Sequence, residues 1–103
     1  MPVTFTKGNT LPSTAAEIYG VDILTKVSAT VHITSTSTIS ETMTVWLEID
    51  GTNREISPPS MPLGPGETWI SCPQIMKVGD RIIGVCSNAS VLTYVVSVEE
   101  TEL

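Results

Sequence analysis

The chain has 103 residues and a net charge of −6, with 41% hydrophobic and 16% charged residues. This composition excludes a disordered chain, and the length suits one domain over residues 1–103 with a single hydrophobic core. The five basic residues, Lys7, Lys26, Arg54, Lys77 and Arg81, are scattered, so neither a phosphate-tracking surface nor an anionic membrane surface is expected.

Serine and threonine supply 26 residues against 5 Lys and Arg. Runs of Ala, Glu, Lys and Leu, which stabilise helices, are missing. The start at Met1 shows no basic segment followed by an apolar one, and no apolar run approaches the roughly 18 residues of a membrane span. Synthesis in a cytoplasm is the expectation.

In chain order, residues 3–6 alternate briefly and suit an edge strand. Residues 7–13 read as turn material. Ser13-Thr14 with Glu17 resembles a helix cap, but no apolar periodicity follows, so one helical turn is the most it supports. Residues 17–19 read as a short strand and 20–22 as a turn. Ile23 and Leu24 lead into the first long strand.

That strand, 27–34, and a second, 42–50, carry the strongest signal. Val27, Ala29, Val31 and Ile33 alternate with polar residues, as do Met43, Val45, Leu47 and Ile49. Period-two alternation of this length marks strands with one buried face. The simplest arrangement is an antiparallel pair joined near 35–41, both apolar faces turned to one core.

Asp50-Gly51 is a hairpin signal, because tight hairpin turns need positive φ. Residues 54–56 would return as a strand. Residues 58–66 hold four prolines and are expected to form a loop and no ladder strand. The two PxxP spacings inside it read as a stiff crossover. Residues 67–72 form a strand ended by Pro73, 77–80 a turn, 81–86 a strand and 87–90 a turn. The last strand, 91–98, is apolar on both faces, which places it centrally or against another subunit. The acidic tail, 99–103, is expected to fray. Seven or eight strands with turns every 8–12 residues point to an all-β chain, a single antiparallel β-sandwich of jelly-roll or immunoglobulin-like type.

Chemistry is sparse. His32 is the one histidine, and it alternates with Val31 and Ile33, so it points outward from a regular strand. Glu48 and Asp50 share a strand face and read as solubilising charge. Residues 50–53 suit a hairpin better than a calcium loop. Gly64-Pro65-Gly66 lacks the context of a phosphate loop, and Asn88-Ala89-Ser90 reads as a turn. Cys72 and Cys86 are expected to be two buried free thiols, with a disulfide as the alternative. No catalytic, cofactor-binding or metal-binding residue is therefore assigned. Trp46 falls on the face opposite Met43, Val45 and Leu47. A large aromatic there suits a subunit interface, and Trp46, Trp69 and Tyr94 are the candidate interface residues. Ordinary second-sheet or edge packing and a sugar-stacking platform are the alternatives.

Several segments carry a wider likeness: residues 6–11, Ile18-Tyr19-Gly20-Val21, 26–34, Thr44-Val45-Trp46-Leu47, 61–67, Val78-Gly79-Asp80-Arg81-Ile82 and the closing Val/Tyr strand. Together they resemble small β-sandwich accessory structural proteins of tailed bacteriophage virions, in which a Pro-Leu-x-x-Gly-Glu turn and a Gly-Asp-x-Ile turn open successive strands. The resemblance implies a non-enzymatic virion component that decorates a capsid or sits on tail, neck or baseplate. It implies no cofactor. It implies partnership with further copies of itself and with other virion proteins. A host-surface glycan-binding module is the competing expectation.

Overall fold

The alternation at 27–34 and 42–50 is realised as two long strands, one in each of two antiparallel sheets. The computed structural model describes residues 3–21, 26–58, 60–88 and 91–101. Within these lie β1 (Val3–Thr10), β2 (Ala16–Gly20), β3 (Lys26–Ser35), β4 (Glu41–Ile49) and β5 (Thr52–Glu55). They are followed by β6 (Met61–Leu63), β7 (Thr68–Ile70), β8 (Gln74–Met76), β9 (Arg81–Cys86) and β10 (Leu92–Thr101). No helix occurs among the described residues.

Sheet A runs β1-β10-β3-β7, with β8 also on β3; sheet B runs β2-β9-β4-β5, with β6 also on β4. β5 and β6 follow one another along the same side of β4, and β7 and β8 along the same side of β3. Ten strands thus occupy eight positions, four to a sheet. The expectation was seven or eight strands; two of the four outer positions, β5/β6 and β7/β8, are each broken in two.

β3 and β4 are not the hydrogen-bonded pair that their sequence suggested. β3 pairs with β10, β7 and β8, and β4 pairs with β9, β5 and β6. Residues 36–40 carry the chain from one sheet to the other. The two apolar faces do meet one core, but across it. Val27, Ala29, Val31 and Ile33 of β3 and Leu92, Tyr94, Val96 and Val98 of β10 share a buried cluster with Met43, Val45 and Leu47 of β4 and Ile82 of β9. Each Val, Leu, Ile or Met side chain so buried contributes about 1.5–3 kcal/mol. This face-to-face burial is the β-sandwich arrangement.

The two broken edges are closed by the same device. Between β7 and β8, buried Ser71 donates its N–H to the Val31 carbonyl at 2.9 Å, and its Oγ accepts the Val31 N–H at 2.9 Å. Between β5 and β6, buried Ser57 donates its N–H to the Val45 carbonyl at 3.3 Å, and its Oγ accepts the Val45 N–H at 3.0 Å. Val31 and Val45 lie mid-strand in β3 and β4. Where the outer strand bends away, a serine hydroxyl takes the place of the missing backbone carbonyl, so the Val31 and Val45 donors are not orphaned.

The turns follow their sequences. Asp50 and Gly51 take φ of 52° and 79° between paired Ile49 and Thr52, the two positive values of a type I′ hairpin. Gly64-Pro65-Gly66-Glu67 closes with Glu67 N–H on the Gly64 carbonyl at 3.0 Å and Gly66 at φ 75°, a type II turn with Pro and Gly in their favoured places. Asp80 Oδ2 accepts the Lys77 N–H, closing the turn before β9.

Other expectations need correction. β1 continues through Lys7, Gly8, Asn9 and Thr10, where turn composition had pointed to a loop; pairing with β10 along all eight residues overrides it. β6 lies inside the proline-rich segment, with Pro62 opposite Thr42. An outer strand tolerates proline because one of its sides makes no ladder bonds. β8, beyond Pro73, carries no alternation long enough to read. Glu99 and Glu100 are not a frayed tail but continue β10 opposite Ser28 and Val27. Ile23, Leu24 and residues 102–103 lie outside the described residues.

Candidate interaction surface

Two outward faces and one loop cluster carry what this chain offers to others. On sheet A the outward residues fall into cross-strand rows. One row reads Thr10, Thr93, Thr34, Thr68 across β1, β10, β3 and β7. Within it the Thr34 and Thr68 hydroxyls hydrogen-bond at 2.9 Å. The next row reads Gly8, Val95, His32, Ile70. Val95 is 42% exposed and Ile70 57%, on either side of half-buried His32. Ile75 of β8 is also exposed, opposite Ser28. The face is hydroxyl-rich with apolar side chains left in water, and Glu99 is the carboxylate that lines its shallow groove beside Ser28, Thr30, Pro73 and Ser97. His32 points outward as its alternation required.

On sheet B, Trp46 lies half-buried on the outward face, opposite Ile83 of β9 and Glu55 of β5. Ile83 is buried but stands apart from the central cluster, so a second, smaller apolar contact forms on the outside of this sheet. Beside it Arg81 makes a two-pronged ion pair with Glu48, with nitrogen–oxygen distances of 2.6, 2.7 and 3.1 Å, and reaches Glu17 at 3.6 Å. Glu48 is therefore paired with Arg81 as well as solubilising.

The other two aromatic candidates point inward. Tyr94 is buried in the central cluster, where burial raises its hydroxyl pKa. Trp69, opposite Ile33, packs against the same cluster. The three aromatics thus do not form one surface, and Trp46 alone is turned outward. Pairing register, invisible in a three-residue strand such as β7, settles this. The apolar character of both faces of 91–98 signals Val95, whereas Ile70 carries no such signal, because the strand at 67–72 does not show which of Trp69 and Ile70 is buried.

The loop cluster is organised by Glu41. Its buried carboxylate accepts hydrogen bonds from Ser87 Oγ at 2.9 Å, Asn88 Nδ2 at 2.8 Å and Ser37 Oγ at 3.3 Å. The Ser87 bond, then the Asn88 bond, hold this carboxyl below its ordinary pKa against the opposing effect of burial. Glu41 thus ties the crossover after β3 to the turn after β9. Asn88, read as turn material, is one of its ligands.

The thiols differ from expectation in one respect. Both are free, Cys86 is buried, and Cys72 is exposed between β7 and β8. The strand expected to bury Cys72 ends at Ile70. Burial pushes the Cys86 thiol pKa up. Among the described residues, no three of His, Cys, Asp and Glu stand close enough to hold a metal ion, and no helix is long and apolar enough to cross a membrane.

The sequence matches no family model and no curated protein. Solved structures share the fold. A chain from Bacillus endospore appendages, described as forming a novel family of disulfide-linked pili, superposes with a TM-score of 0.63 at 14% identity, covering 100% of this chain and 88% of that one. A chain of the infectious bursal disease virus particle superposes with a TM-score of 0.52 at 10% identity, covering 95% of this chain and 31% of that one.

Proposed function

We propose that this protein is a non-enzymatic structural subunit that self-associates in a repeating assembly, and that the assembly is a tailed-phage virion on which it serves as an accessory component. The observation that carries the reading is the outward face of sheet A, where Val95, Ile70 and Ile75 stand in water on three different strands. Apolar side chains grouped on a regular face suit burial by a neighbouring protein. The shared fold is in keeping with this, since the compared chains come from a pilus and a virus particle. The phage setting rests on the likeness of the turns at 61–67 and 78–82. The strand order of the two sheets, with most connections passing from one sheet to the other, supports reading the sandwich as a jelly roll, a design common among viral coat domains.

Sedimentation velocity across the micromolar range tests the reading, together with electron microscopy of the concentrated protein. Discrete oligomers or ordered arrays are expected, and Val95→Glu with Ile70→Glu should weaken or reduce them. A monomer at every concentration would overturn it.

A further inference from the structure

We infer that the free edge of β1 is a homodimerisation site, at which β1 of a second copy adds antiparallel to sheet A about a two-fold axis at Thr6. The inference rests on the self-associating role proposed above and names the contact.

Sheets A and B have four outer edges, and three are spoiled for pairing. The β5/β6 edge breaks at Ser57 and carries Pro62, with Ser60 at φ 50°. The β7/β8 edge breaks at Ser71 and Pro73. The β2 edge spans five residues and shifts register between Glu17 and Tyr19. Breaks, prolines, bulges and edge lysines are devices that keep sheet edges from joining other chains. Of these β1 has only a single lysine, Lys7. It is eight residues long and keeps unbroken register with β10 from Val3 to Thr10.

The bonding phase identifies the groups left over. Leu11 donates its N–H to the Leu92 carbonyl at 2.8 Å, one step beyond the Thr10–Thr93 pair. In an antiparallel ladder alternate residues bond the same neighbour. Asn9, Lys7, Phe5 and Val3 therefore bond β10, and the backbone groups of Thr4, Thr6, Gly8 and Thr10 point away from it. At Thr10 the N–H is already taken by Asn9 Oδ1 at 2.8 Å. Thr4, Thr6 and Gly8 present both donor and acceptor, and no described residue bonds them on that side.

This set is symmetric about Thr6. A second β1 laid antiparallel pairs Thr4 with Gly8, Thr6 with Thr6 and Gly8 with Thr4, each pair exchanging two bonds. In that register Lys7, the one charged residue of β1, falls opposite Phe5 of the other copy and not opposite a second Lys7. Moving the axis to Lys7 would set like charges together and run into the capped Thr10, both unfavourable. A second copy is the fitting occupant because the contact is its own complement, as an isologous interface requires. The other edges of this chain offer too short a regular stretch to take its place.

Amide exchange of the full-length protein by NMR, followed against concentration, tests the site. The Thr4, Thr6 and Gly8 amides should gain protection as the dimer forms, while those of Phe5, Lys7 and Asn9 stay protected throughout by β10. Thr6→Pro removes an outward donor without touching the β10 ladder and should weaken dimerisation at least about tenfold. In a Cys72→Ser background, Thr6→Cys should oxidise to a covalent dimer, because the paired Cα atoms lie about 5.5 Å apart, and Lys7→Cys should not. If oligomers persist undiminished in Thr6→Pro and the Thr4, Thr6 and Gly8 amides exchange freely at all concentrations, the β1 site is wrong and the structural role stands. A strictly monomeric wild-type chain overturns both.

Discussion

At the scale of the residue, this fold depends on a few polar side chains placed where the ladder fails. Ser57 and Ser71 each supply, through a side-chain hydroxyl, an acceptor for a mid-strand valine N–H where the outer strand bends away. Removing the hydroxyl leaves a buried N–H unpaired, at a cost of about 1–3 kcal/mol. Ser71→Ala and Ser57→Ala should each lower stability by about that amount in urea unfolding, whereas Ser40→Ala, at an exposed loop position, should change it little. Glu41 is the other such residue. Its folded pKa lies below the ordinary carboxylate value because Ser87 and Asn88 donate to the charged form. Its contribution to stability is thus complete above the ordinary value of about 4.3 and is lost as pH falls through the lowered folded value. The denaturation midpoint of Glu41→Gln should therefore fall less steeply with acidification than that of the wild type.

At the scale of the element, the turns are where composition and conformation agree most closely. Gly51 and Gly66 take positive φ with open space where a Cβ would stand, so an alanine there suffers from backbone conformation alone. Gly66→Ala should cost about 1 kcal/mol or more, and an asparagine, which tolerates positive φ, should restore part of it. Thermal unfolding of the two variants checks the order. The strands 81–86 and 91–98 were readable because alternation or apolar runs extend over several residues. The three-residue strands β6, β7 and β8 were not. Their pairing is imposed by the long strands beside them, so a proline at 62 and a short run at 74–76 become strands by position and not by propensity.

At the scale of the whole molecule, burial separates the two cysteines. Cys72 stands exposed at the break of one sheet edge, and Cys86 is buried at the end of β9 with its thiol pKa raised. Access favours Cys72, and burial makes Cys86 slower to form the reactive thiolate. A thiol reagent should modify one cysteine of the native protein rapidly and the second only as the sandwich opens, with Cys72→Ser abolishing the fast phase. Two fast phases would show that the end of the sandwich near Cys86 opens locally. The outward apolar residues also belong to this scale. Val95 and Ile70 become a surface feature only when β10, β3 and β7 lie side by side.

Local patterning determined the all-β class, the long strands, their inward faces, the outward turn of His32 and Trp46, and the hairpin at Asp50-Gly51. These follow from side-chain alternation and from φ restrictions, which act within a few residues. Sheet membership is different. Whether β3 lies beside β4 or across the core from it, which outer strands break, and which aromatics are covered depend on pairings between segments tens of residues apart. Both arrangements bury the same alternating faces, so the periodicity could not choose between them. Only closing the two sheets over one core did.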